Sequence, residues 1–138
     1  MKDELIVFSK PKSNISEDIR TIRTNLKFTA NDDAKVLLVT SSVPGEGKSF
    51  ISANLAAAFA QTGEKVLLID ADLRLGRVHK IFNQSATKGF SNMLISGTSE
   101  DLPEYIKKTT IPNLYIVSRG TVPPNPSELL NSSSCKKL

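Results

Sequence analysis

Two short apolar runs, Val36 to Val39 and Val66 to Ile69, stand out in a chain whose other hydrophobic residues recur mainly at helical spacing. Each run is bounded by polar or turn-forming residues, so each predicts a strand, over about 35–41 and 65–70. Their near-continuous apolar character suits strands covered on both faces, as in a parallel sheet. Between them, residues 48–61 carry Ala53, Ala56, Ala57 and Ala60 and predict a closely packing helix that Gly63 stops. Strand, helix and strand in that order predict a right-handed βαβ unit.

Upstream, Ile15, Ile19, Ile22 and Leu26 form one apolar stripe, predicting a helix over about 15–28 capped by Asn14 or Ser16. Glu17, Arg20 and Arg23 share another face of that helix, and Asn31-Asp32-Asp33 ends the pattern. Residues 1–14 read as an irregular arm. Downstream, short helices are expected within 75–83, 89–96 and 100–108, and a third strand over Asn113 to Ser118. Gly120 to Pro126, with three prolines, predicts an extended loop, after which Ser127 caps a helix starting at Glu128. The fold class is α/β, a parallel sheet flanked by helices, in one domain over 1–138. The arm and first helix take about 1–30 and the core about 35–138.

Composition changes little in this picture. The net charge is +4, but the lysines and arginines are scattered, with Lys10 and Lys12 around Pro11 and pairs at 107–108 and 136–137. With few aromatics and no interleaved basic patch, nucleic-acid binding gains no support. A single cysteine, Cys135, excludes an intrachain disulfide and fits a reducing cytosol, and one histidine, His79, gives a histidine metal site or triad little to build on. No apolar run approaches a membrane span, and the first residues are too weakly apolar for a signal peptide.

The chemistry lies where the first strand meets the helix. Residues 36–49 read Val-Leu-Leu-Val-Thr-Ser-Ser-Val-Pro-Gly-Glu-Gly-Lys-Ser, a strand, a glycine-containing loop and a helix start. That is the layout of a phosphate-binding P-loop. Glycines let backbone N–H groups turn toward phosphate oxygens, and the helix adds its positive dipole end. Lys48 can reach the β- and γ-phosphates, and the Ser49 hydroxyl can ligate Mg²⁺. Ser42 stands where the strict pattern has glycine. The second strand ends Ile69-Asp70-Ala71-Asp72-Leu73-Arg74. Its carboxyl end opens toward the ligand crevice of an α/β sheet, so Asp70 and Asp72 are expected near the loop, where they can hold Mg²⁺ or orient an attacking hydroxyl. Arg74 is a candidate for a phosphate contact or an ion pair with Asp72.

These segments resemble the bacterial tyrosine kinases (BY-kinases). Residues 36–49 look like their Walker A segment, and Val66 to Arg74 like their Walker A′ motif. Glu17-Asp-Ile-Arg20-Thr-Ile-Arg23 is similar to their oligomerisation motif, and Val122-Pro-Pro-Asn-Pro-Ser-Glu-Leu-Leu130 is also family-like. The resemblance implies a P-loop NTPase-like fold, here truncated to the N-terminal part. It implies a tyrosine (auto)kinase of capsular or exopolysaccharide biosynthesis that uses ATP and Mg²⁺. Carried over by position, Pro44, Gly45, Glu46, Gly47, Lys48, Ser49 and Phe50 would hold ATP. Lys48, Asp70 and Asp72 would be catalytic, Ser49, Asp70 and Asp72 would serve the metal, and Glu17, Arg20 and Arg23 would join subunits into a ring. The implied partners are tyrosine-containing proteins and a transmembrane activator of polysaccharide export, which would keep the chain cytoplasmic, peripheral at the inner face of the membrane.

No Walker B strand and no tyrosine cluster occurs, since the only tyrosines are Tyr105 and Tyr115. The sequence therefore predicts an apolar edge or face left uncovered and little or no kinase activity by the chain alone. Two alternatives from other classes are a Min/Par-type ATPase switch and a non-catalytic oligomerising fragment. Val43, where the switch ATPases carry a signature lysine, counts against the first.

Overall fold

The computed structural model describes residues 4–29, 36–40, 47–96 and 102–131. Helix α1, Ile6–Ser9, opens the chain, followed by α2, Asn14–Thr29, and α3, Lys48–Ala60. Strand β1, Val66–Ile69, leads to α4, Val78–Ile81, α5, Phe90–Ser96, and α6, Leu102–Tyr105. Strands β2, Lys107–Lys108, and β3, Leu114–Val117, precede α7, Pro126–Leu130.

The sheet has three strands in the order β1-β3-β2. β1 and β3 are parallel, with Val66 opposite Leu114 and Ile69 opposite Val117, whereas β2 runs antiparallel. The pairing continues past the strand ends, as the Val66 N–H donates to the Asn113 carbonyl at 2.8 Å and the Asp70 N–H to Val117 at 2.9 Å. Asp70 therefore starts its loop from an anchored backbone.

Helix α3 packs between α2 and β1. Its alanines permit the close approach: Ala53, Ala57 and Ala58 are fully buried, beside Ile19 of α2 and Leu114 and Ile116 of β3 in one core. The arm before α2 joins that core through Leu5 and Val7, both fully buried.

Several sequence expectations need correcting. The run 36–40 forms no strand, and Val36 and Leu38 are 89 % and 88 % exposed. Strand backbone needs a neighbour for its N–H and C=O groups, and no described segment pairs with this one. Among the described residues the expected βαβ unit around α3 is thus not formed, and the parallel pair is β1 with β3. β1 is covered on one face only, with Leu67 45 % and Ile69 46 % exposed. Within the described part of the arm, residues 4–13, a short helix replaces irregular backbone: the α1 turn forms because buried Leu5 and Val7 fix it. The helical expectation over 100–108 gives way at Ile106, and Lys107–Lys108 join the sheet. Pro126 begins α7 with Asn125 at its N-cap, two residues ahead of the expected Ser127 cap, because proline's missing N–H costs nothing at the first helical position.

Candidate functional site

Helix α3 begins at Lys48, with Gly47 as N-cap at φ 80°. That left-handed conformation suits glycine, which has no Cβ to clash. No side chain caps the helix, and a first turn leaves its N–H groups without intrahelical acceptors. The start of α3 therefore presents donors and a positive dipole end where an anion can sit. Pro44, Gly45 and Glu46 of the loop lie outside the described residues, as do Ser42, Val43 and Cys135. Lys48, Ser49 and Phe50 are half-buried in the first turn.

Opposite stands the loop from Asp70 to Val78. Lys48 Nζ donates to Asp72 Oδ2 at 3.3 Å, joining the two sides. Asp72 Oδ1 accepts from the Leu75 N–H at 3.0 Å, and the Asp72 carbonyl accepts from Gly76 at 2.9 Å. Burial pulls the Asp72 pKa up, but the Leu75 N–H and the Lys48 hydrogen bond and charge outweigh it, so its carboxyl titrates below the usual value. Asp72 is a carboxylate at neutral pH, partly open to solvent.

Asp70 has a different environment. It is 6 % exposed, and its oxygens accept the Asp72 N–H and the Val78 N–H, each at 3.2 Å. Burial pushes its pKa up, against the pull of those two N–H groups and Lys48. Asp70 braces both ends of the loop from inside. Gly76 fits tightly against that brace: a Cβ there would stand 2.4 Å from both Asp70 carboxylate oxygens and 2.5 Å from the Asp72 carbonyl. Arg74 is exposed and makes no ion pair with Asp72, whose cationic partner is Lys48.

Mg²⁺ prefers oxygen donors and keeps several waters, taking one or two carboxylates plus substrate phosphates. The anionic, partly exposed Asp72 and the hydroxyl of Ser49 fit that demand. Asp70 has both oxygens engaged by backbone, which suits it to support from behind rather than direct ligation. No group of three acidic, cysteine or histidine side chains gathers among the described residues, so a metal here would draw ligands from a bound phosphate and water.

Sequence reasoning missed several residues around the site. Asn54 on α3 is fully buried. Its Oδ1 accepts from the Val7 N–H at 3.2 Å, and its Nδ2 donates to the Glu4 and Phe50 carbonyls at 2.7 and 2.9 Å. Arg77, in the acidic loop, pairs with Glu4 at 2.8 Å. The arm therefore touches both walls of the site. Ser16 Oγ ties the same arm to α2 through the Ile6 and Lys10 carbonyls, at 3.0 and 2.7 Å. A polar residue inside an alanine-rich helix was the available signal for Asn54.

The predicted oligomerisation trio has partly internal contacts. Arg23 donates to the Ala58 carbonyl of α3 at 2.7 Å and Arg20 to the Pro11 carbonyl, while Glu17 is exposed.

The chain resembles known nucleotide-binding proteins. Residues 37–120 match the family described as CobQ/CobB/MinD/ParA nucleotide binding domain. The chain is 44 % identical over 139 aligned residues to tyrosine-protein kinase YwqD of Bacillus subtilis, covering 100 % of this chain and 58 % of that protein. It is 40 % identical to tyrosine-protein kinase wzc of Salmonella typhimurium, covering 99 % of this chain and 19 % of that protein. Among solved structures, the chimerical protein CapA2B2 superposes with a TM-score of 0.89 at 40 % identity, over 99 % of this chain and 60 % of that one. The kinase domain of Escherichia coli tyrosine kinase ETK gives 0.84 at 38 % identity, over 91 % of this chain and 49 % of that one. The chain thus spans less than two thirds of the length of these relatives.

Proposed function

Because this chain belongs to the CobQ/CobB/MinD/ParA nucleotide-binding domain family, with bacterial tyrosine kinases as its homologues, we propose that it binds Mg–ATP and works in transfer of the γ-phosphoryl group to tyrosine. The observation that carries this reading is the Lys48–Asp72 contact at 3.3 Å, facing the uncapped first turn of α3. Such a pair offers a cation for the β- and γ-phosphates beside a carboxylate for the metal. In this reading Pro44, Gly45, Glu46, Gly47, Ser49 and Phe50 line the phosphate cradle with Lys48. Ser49 and Asp72 serve Mg²⁺, and Asp70 holds the Asp72 loop while contributing to the metal through water.

The kinase names of the relatives and the family-like segments support a role in capsular or exopolysaccharide assembly. On the same basis we assign self-association to Glu17, Arg20 and Arg23, and activation to a transmembrane partner that holds the domain at the inner face of the membrane. No helix among the described residues is long and apolar enough to cross a membrane itself. Turnover by the isolated chain is expected to be slow, because the run 36–40 ahead of the P-loop has no strand partner among the described residues.

The test is to incubate the chain with Mg–ATP and a random Glu-Tyr copolymer, then probe for phosphotyrosine and for ADP. Slow phosphotyrosine formation that disappears in Lys48→Met supports the kinase reading. ADP release without phosphotyrosine would favour an ATPase switch, and neither product together with unaltered ATP affinity in Lys48→Met would favour a non-catalytic fragment.

A further inference from the structure

We propose that Arg119 is a positioning residue for the metal side of the site, acting on Asp72 through the carbonyl of Gly76; the functional half of this proposal rests on the Mg–nucleotide reading above. Arg119 lies two residues beyond β3, whose last residue, Val117, is paired with Ile69. The guanidinium therefore projects from a rigid point beside the loop that starts at Asp70. Its Nε–H donates to the Gly76 carbonyl at 2.9 Å, and its Nη1 donates to the Gly120 carbonyl. None of the ion pairs among the described residues includes Arg119. A half-buried cation held by carbonyls, without a neutralising acid among the described residues, serves geometry more than charge.

The geometry it serves is the turn carrying Asp72. Gly76 N–H bonds the Asp72 carbonyl at 2.9 Å, and Leu75 N–H bonds Asp72 Oδ1 at 3.0 Å. The turn is thus fixed at Asp72, and Arg119 holds its far end from outside while the Asp70 carboxylate packs against Gly76 from inside. Removing the outer hold frees the peptide joining Gly76 to Arg77, which loosens the end of the turn, and the preceding Leu75 and Gly76 amides lose alignment with Asp72. Lysine can replace only part of this, because one ammonium cannot reproduce the planar fork that reaches two carbonyls.

The experiment compares wild type, Arg119→Ala and Arg119→Lys by amide hydrogen exchange and by ATP affinity with Mg²⁺ and with EDTA. The Ala variant is expected to raise exchange at Leu75 and Gly76 by about tenfold, the scale of one lost charge-assisted hydrogen bond, while the Leu67 to Ile69 amides stay protected. The Lys variant should fall between. ATP affinity with Mg²⁺ should fall by a similar factor in the Ala variant, and affinity in EDTA should not change. Unchanged exchange at Leu75 and Gly76, or a uniform rise across the sheet, would overturn the positioning role. Equal losses with and without Mg²⁺ would overturn its action on the metal side. A wild-type chain that binds no nucleotide would overturn the reading of the site and the functional half of this proposal, and the exchange data would still decide whether Arg119 holds the loop.

Discussion

Lys48 Nζ lies 3.3 Å from Asp72 Oδ2, so the cation proposed for the phosphates contacts the carboxylate proposed for the metal. Both side chains are partly exposed, 33 % and 28 %, which makes the pair weak and exchangeable. A triphosphate can take Lys48 while Mg²⁺ takes Asp72, replacing one ion pair by two.

That exchange predicts opposite signs for one substitution. Asp72→Asn frees Lys48, so ATP affinity in EDTA should hold or rise. The same variant lacks the carboxylate for the metal, so affinity with Mg²⁺ should fall by about tenfold or more, as expected when a charged contact is removed. Fluorescent nucleotide titrations under both conditions check this. A parallel fall in both would mean that Asp72 matters only for folding.

Gly76→Ala is expected to damage the loop although it adds only a methyl group. The Cβ would meet both Asp70 oxygens at 2.4 Å, so the brace must move. Overpacking of this kind costs roughly 1–3 kcal/mol. Urea unfolding should show the loss, and NMR should locate the largest shifts at Asp70, Asp72 and Val78.

The raised pKa of Asp70 sets a pH dependence. Its folded value lies above the ordinary 3.8, chiefly because burial disfavours the charge. The folded state therefore binds the proton more tightly than the unfolded chain. This group's contribution to stability grows as pH falls from neutral through the folded value toward 3.8, and shrinks as pH rises. Asp72 works in the opposite sense, its lowered value favouring the fold above 3.8 and losing that effect below. Urea midpoints between pH 7 and pH 4 should show a wild-type advantage over Asp70→Asn that widens toward acid. A difference that stays flat with pH would remove Asp70 as the source.

Asn54→Leu should release the arm. The substitution leaves the Val7 N–H and the Glu4 carbonyl without the partners they have now. Each unsatisfied buried group costs about 1–3 kcal/mol. Limited proteolysis should cut before Asn14 sooner than in wild type, and the melting temperature should fall. An uncut arm would mean that Leu5 and Val7 hold it by burial alone.

How much of this was legible follows residue by residue. Helix α2, the alanine face of α3 and strands β1 and β3 came from apolar spacing, because packing against one core imposes those periods. Lys48 and Asp72, which the structure brings within 3.3 Å, were expected near each other from their places after a loop and after a strand, where backbone topology leaves little freedom. The run 36–40 was misread because a hydrophobic pattern reports a preference for burial, whereas a strand needs a partner to complete it. The one-sided cover of β1 has the same cause, although an uncovered apolar face was itself expected. Asn54, Arg77 and Arg119 escaped notice because each acts through contacts distant in sequence. Glu4 and Arg77 pair across 73 positions, and Arg119 reaches Gly76 across 43. No local pattern encodes such pairs.

The most direct test is a calorimetric titration of the chain with Mg–ATP, wild type against Lys48→Met, with circular dichroism to verify that both are folded. Saturable binding by the wild type, reduced by at least about tenfold in the variant, is the predicted result, since Lys48 is proposed to supply the charged contact to the phosphates. Equal binding by the two folded proteins, or none by the wild type, would contradict the nucleotide site at the start of α3.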